Sequence, residues 1–81
     1  MRYTLKFPVD NPDGTALTVV ELRRPKGRDM RALRSAQTDL DKSLVLIANL
    51  ASLTPAQVDE MDGEDITALS GIVADFFGGP R

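Results

Sequence analysis

The sequence predicts an α+β fold, an N-terminal β-hairpin followed by three to four α-helices, and three observations carry that prediction. Apolar and other side chains alternate with a period of two from Tyr3 to Val9. A turn-forming tetrapeptide, Asn11-Pro12-Asp13-Gly14, follows at once. From Arg28 onward the apolar period becomes helical, and no later strand is available to build a parallel sheet.

In the first strand Tyr3, Leu5, Phe7 and Val9 share a face, and Pro8, which lacks an N–H, belongs on an outer edge or at a strand end. Pro12 fixes φ and Gly14 accepts a positive φ, which is what a tight reversal requires. Ala16 to Leu22 is β-branched and apolar enough for the return strand, although the adjacent Val19 and Val20 leave its inward face open. Residues 1–23 therefore read as a hairpin.

After Arg24-Pro25-Lys26-Gly27 a first helix runs from Arg28 to about Ala36. Met30, Leu33 and Ala36 fall on one side of it, and Arg28, Arg31 and Arg34 project to solvent on the other. Thr38 caps a second helix, with Asp41 at its third position, that extends to about Leu53. No charged residue occurs from Ser43 to Val58, so this helix should be the central, most buried one. Thr54-Pro55-Ala56-Gln57 reads as N-cap, proline at the first position and capping-box glutamine for one short helical turn through Met61. Asp62 caps the last helix, with Glu64 and Asp65 where negative charge suits the helix dipole. There Ile66, Leu69, Ile72, Val73, Phe76 and Phe77 form a stripe about 140° wide at 100° per residue. Gly78-Gly79-Pro80 ends it. The expected organisation is one domain over residues 1–81, with a helical part at 28–77 and a tail at 78–81. Leu44, Ile47, Leu50, Leu69, Val73 and Phe76 are expected at the centre of the core, with Leu5 and Phe7 packing from the hairpin.

Composition narrows the function. An 81-residue chain buries only about 60 to 65 per cent of its unfolded surface, so the core is thin. With neither cysteine nor histidine there is no disulfide, the two commonest zinc ligands are missing, and so is half of the usual set of nucleophiles and bases, which leaves serine and lysine. The acids from Asp59 to Asp65 superficially resemble a calcium loop, but that loop needs oxygen ligands at its third and fifth positions, where Met61 and Gly63 stand. No catalytic residue, metal or cofactor is expected, and the chain does not read as an enzyme. The start MRYTLKFPV has no apolar run of signal-peptide length and no segment reaches a membrane span, which points to the cytoplasm and away from membranes.

Six of the ten basic residues lie between Arg23 and Arg34, and eight of the twelve acids follow them. Such a dipolar chain favours complementary or head-to-tail association, so a homo-oligomer is among the expected assemblies. The Arg28, Arg31, Arg34 face admits three readings: a solvated surface, a dock for an acidic protein, or a phosphate-binding stripe. The net charge of −2 and the scarcity of aromatic residues argue against nucleic acid. Phe76 and Phe77 are 100° apart on a helix, so either both enter the core or one faces a partner.

The opening strand YTLKFPV, the segment ELRRPKGRDMRAL (Glu21 to Leu33), the apolar run LVLIANLASLTPAQVDEMDGEDITALS and the closing IVADFFG together cover nearly the whole chain. In these segments and their order the sequence resembles the phage tail assembly chaperones of Mu-like and related contractile-tailed phages and their prophages. The resemblance implies a host-cytoplasmic helper that binds the tape measure protein, and meets the tail tube protein, keeping the former soluble until tube subunits polymerise round it. It also implies a short form in a family where a frameshifted longer form is common. It transfers no binding residue. The candidates for a partner surface come from geometry: Ile72, Phe76 and Phe77, whose stripe is wider than one neighbouring helix covers, and the basic face of Arg28, Arg31 and Arg34. The competing reading is a small DNA-binding regulator or antitoxin-like protein that uses the same basic face.

Overall fold

The tetrapeptide turn closes as its residue types require. In the computed structural model, which describes residues 1–77, Gly14 takes φ +89° and donates its N–H to the Asn11 carbonyl at 3.1 Å. Asp13 accepts from the Thr15 amide at 3.0 Å and from its hydroxyl at 2.6 Å, which fixes the far side of the turn. On either side of it run β1 (Arg2–Asp10) and β2 (Ala16–Glu21), paired antiparallel. After the hairpin come α1 (Gly27–Ala32), a 3-10 turn (Leu33–Ser35), α2 (Asp39–Ala51), α3 (Pro55–Asp59) and α4 (Gly63–Phe76). The class is α+β, a two-stranded hairpin followed by four helices.

The hairpin is not regular. Arg2, Tyr3 and Thr4 pair with Glu21, Val20 and Val19, but the next paired residues are Val9 with Leu17 and Asp10 with Ala16. Five steps along β1 thus answer two along β2, so β1 bulges between Thr4 and Val9. The bulge corrects the simple alternation: Leu5 and Val9 are buried and Tyr3 half-buried, but Phe7 is turned out, 47% exposed. Pro8 lies inside the bulge, where it owes no ladder hydrogen bond; in a two-stranded sheet β1 is an edge strand, so the outer-edge alternative is the one realised.

The first helix is shorter than its periodicity suggests and is turned differently. Regular α-helix ends at Ala32, and Leu33–Ser35 tightens into the 3-10 turn. Its buried arc holds Asp29 and the half-buried Ala32 and Leu33, so Met30 is expelled to the solvent side at 49% exposure. The expectation that Met30 faces the core fails because a fully paired carboxylate, Asp29, takes the inward position.

Around α2 the sequence signals hold. Thr38 Oγ1 accepts from the Asp41 amide at 3.0 Å. The helix stops at Ala51, because Ser52 adopts a left-handed conformation (φ 56°) and Leu53 N–H closes on the Ala48 carbonyl at 2.8 Å. Thr54 and Gln57 form the reciprocal capping box of α3, and Asp62 accepts from the Glu64 amide at 2.9 Å to cap α4. From its central position α2 packs against α1, α3, α4 and β2. Ile47, Leu50 and Leu69 have essentially no exposure, and Val20, Leu22, Val58, Met61 and Val73 close round them. Leu44 and Phe76 lie half-buried at the margin of this core instead of at its centre, and Phe7 is outside it. The expected tail at 78–81 lies outside the described residues.

Candidate functional site

α4 leaves part of its apolar stripe uncovered. Leu69 and Val73, in the middle of its apolar stripe, are buried; Ile66, Ile72 and Phe76 are half-buried, and Phe77 is 44% exposed. At 100° per residue Ile72 and Phe77 mark opposite margins of that stripe. The helix therefore packs along its centre line and keeps apolar edges in contact with water.

The last turn of α4 meets the segment that joins β2 to α1. Arg23 N–H donates to the Leu50 carbonyl at 3.1 Å, which ties this segment to the end of α2. The Arg23 guanidinium grips Asp29 with two hydrogen bonds, of 2.8 and 2.9 Å, and reaches the Asn49 carbonyl at 3.3 Å. Asp29 also accepts from the Lys26 amide at 2.7 Å. Facing that guanidinium, and despite its burial, the Asp29 carboxyl is held down to about 2. With its neighbour so fixed, Arg24 extends over the Phe76 ring, its guanidinium carbon 5.6 Å from the ring centroid. An exposed cation thus covers the half-buried ring of Phe76.

Arg28, Arg31 and Arg34 are exposed on α1 and the 3-10 turn, with Met30 among them, and none is ion-paired among the described residues. Since α1 packs chiefly on α2, the candidates fall into two patches: the apolar margins of α4 and the basic face of α1. Arg24 is the link between them, a residue of the basic run seated on the aromatic end of α4. Sequence reasoning missed it because nothing local to Arg24 announces a ring so distant along the chain.

The opposite end of α4 is closed. Asp65, fully buried, accepts from the Tyr3 hydroxyl at 2.8 Å and from the amides of Lys6 and Phe7 at 3.0 Å each. These amides belong to the bulge of β1, where they have no partner in β2, so the carboxylate replaces the missing ladder. Burial pushes the Asp65 carboxyl up, but the Lys6 amide, the Tyr3 hydroxyl and the Phe7 amide outweigh it and hold the group below its usual value. The same contact raises the Tyr3 hydroxyl. Read from sequence as a first-turn acid suited to the helix dipole, Asp65 is also the bolt between hairpin and helix. Every buried side-chain nitrogen or oxygen among the described residues has a hydrogen-bond partner. Among the described residues no three acids are grouped to hold a metal ion, and no helix is long and apolar enough to cross a membrane.

An open cleft of about 730 Å³ lies between the hairpin turn and α3; Val9, Pro12 and Ala56 line it together with Asp10, Asp59 and Glu60. A family model described as phage tail assembly chaperone proteins, E, or 41 or 14, matches residues 2–78, and the chain belongs to that family. No curated protein and no solved structure matches it.

Proposed function

We propose that this tail assembly chaperone protein binds the tape measure protein of the phage tail, in the host cytoplasm, and keeps it soluble for tail tube polymerisation without catalysing a reaction. The observation that carries the reading is the outer end of α4, where Phe77 stands 44% exposed on one margin of the apolar stripe and half-buried Ile72 on the other, with the Arg24 guanidinium over the Phe76 ring. A long amphipathic helix aggregates through its apolar face, and an apolar helix margin rimmed by cations offers that face a cover. Each Å² of apolar surface so removed from water contributes about 25 cal/mol before the costs of association. Acidic residues flanking the partner's apolar face would meet Arg24, and Arg28, Arg31 and Arg34 extend the positive rim.

Co-expression with the tape measure candidate tests the reading. Wild type should raise the yield of soluble tape measure protein, and Ile72→Ser and Phe77→Ser, each shown to be folded by circular dichroism, should raise it less. No gain with wild type refutes the chaperone mechanism; equal gain with all three refutes the surface. Binding to duplex DNA that weakens steeply with salt would instead support the regulator reading of the basic face.

A further inference from the structure

Among the described residues α3 has a hollow on each flank, and no basic residue lines either one. On one side is the cleft against the hairpin turn, edged by the exposed acids Asp10, Asp59 and Glu60. On the other, where α3 packs against α2, a groove of about 110 Å³ lies between Leu44, Val45 and Ala48 of α2 and Pro55 and Val58 of α3, with Asp59 at its edge. Ala48 and Val58 are buried and form its floor, and half-buried Leu44 and Val45 form a wall. A space of that size admits one aliphatic side chain.

Leu40 prolongs the groove along α2. It precedes Leu44 by four residues and Ala48 by eight, so the three lie on one line of the helix, yet Leu40 is 61% exposed and has no part in the core. A lone exposed leucine calls for no explanation; one that extends an open apolar groove marks a docking surface.

Charge identifies the occupant. Asp41 precedes Val45 by four residues and Ala48 by seven, so it borders the same side of α2, while Asp59 borders the groove from α3. Neither acid has an ion-pair partner among the described residues. Lys42, the single cation of α2, lies 100° round the helix in line with Leu46 and Asn49. A segment seated in the groove therefore sets its flanking side chains beside two free carboxylates, where lysine or arginine is matched and aspartate or glutamate is repelled.

We infer that the groove between α2 and α3 is a second docking site, which takes a basic amphipathic helix of a partner protein. An aliphatic side chain of that helix enters over Ala48 and Val58, another covers Leu40 a turn away, and cations flanking this apolar line pair with Asp41 and Asp59. The required chemistry is the opposite of that proposed for the outer end of α4, where Arg24 selects an acid-flanked helix, so the site stands or falls apart from the tape measure reading.

Fluorescence anisotropy with labelled synthetic helices tests the assignment. The probe carries leucines along one face at four-residue spacing and lysines on either side of them; one control replaces the lysines by glutamate, the other the leucines by serine. Wild type should bind the probe about tenfold or more tightly than either control. Leu40→Ser, at a site already exposed, should keep the fold and weaken the probe by about fivefold or more. The Asp41→Lys, Asp59→Lys pair should reverse the preference towards the glutamate helix. Should lysine in the first turn of α2 weaken the fold, Asp59→Lys alone, at the end of α3 where a cation suits the helix dipole, should still narrow the preference severalfold. Failure of wild type to bind the probe, equal binding of probe and either control, or binding indifferent to Leu40→Ser and to the charge changes in folded protein would overturn the inference. So would self-association of wild type abolished by Leu40→Ser, which would give the groove to a second copy of the chain.

Discussion

The two ends of α4 are built differently. At the first turn every polar group is used: Asp62 caps the helix, Asp65 binds three donors of β1, and Lys6 Nζ meets the Glu64 carboxylate at 2.6 Å. At the last turn the helix ends with Phe76 half-buried beneath Arg24 and Phe77 exposed, with an apolar margin left over. The first end spends its residues on the fold, and the second holds residues the fold does not need. Substitutions at the first end should therefore change stability and leave binding intact once the protein is folded; those at the last end should do the reverse.

The largest effect is expected from Asp65→Ala. It strands the Lys6 and Phe7 amides, which a strand backbone cannot swing into water, and the Tyr3 hydroxyl. A loss of about 3 kcal/mol follows from three unmade hydrogen bonds to a charged acceptor, a large share of the stability a domain of this size possesses. Chemical denaturation measures it; a loss below about 1 kcal/mol, the scale of a single net hydrogen bond, would show that the bulge is not held by this carboxylate.

Asp29→Ala should cost less than Asp65→Ala, although both aspartates are buried third residues of their helices. The principal partner of Asp29 is a flexible, partly exposed guanidinium that can turn to solvent, and only the Lys26 amide is left without its acceptor. Equal losses in parallel denaturation curves would remove the distinction between fixed and mobile donors.

Acid sharpens the comparison further. Both carboxyls lie lower in the folded protein than the ordinary value of about 3.9, Asp29 at about 2, so both contribute stability above that value. Stability should be constant near neutrality with respect to these groups and fall as pH drops from about 4 toward 2. In the Asp29→Asn, Asp65→Asn double variant the fall should be shallower. An unchanged acid slope would assign acid sensitivity to other groups.

How much of this could be read from the sequence depends on the range of the interaction. Thr38, Thr54 with Gln57, Asp62 and the Asn11–Gly14 turn were legible because a cap or turn completes its hydrogen bonds within three or four residues. Asp29 and Asp65 were not. A first-turn acid reads alike whether it faces water or a guanidinium, and only the fold brings Tyr3, Lys6 and Phe7 to Asp65. The same concealment misplaced two apolar residues: Phe7 is turned outward by the bulge Asp65 stabilises, and Met30 is displaced by Asp29. In the candidate site, the width of the α4 stripe and the exposure of its margin followed from periodicity, and the arginine over Phe76 did not.

A smaller effect is expected where the basic run meets solvent. Replacing Arg28, Arg31 and Arg34 together by serine should alter stability by no more than about 0.5 kcal/mol, because none of them is paired among the described residues and exposed charges contribute little. A triple variant that unfolds would mean these side chains support the fold.

The most direct measurement is a calorimetric titration of wild type and Phe77→Ser with a helical segment of the tape measure protein, with thermal melts of both proteins recorded alongside. Phe77 already stands 44% exposed, so its replacement should leave the melting temperature nearly unchanged. The affinity should fall by about tenfold or more, equivalent to about 1.4 kcal/mol, as expected for an aromatic anchor removed from an interface. Equal affinity for the two proteins, with both folded, would contradict the division of α4 into an end that folds and an end that binds.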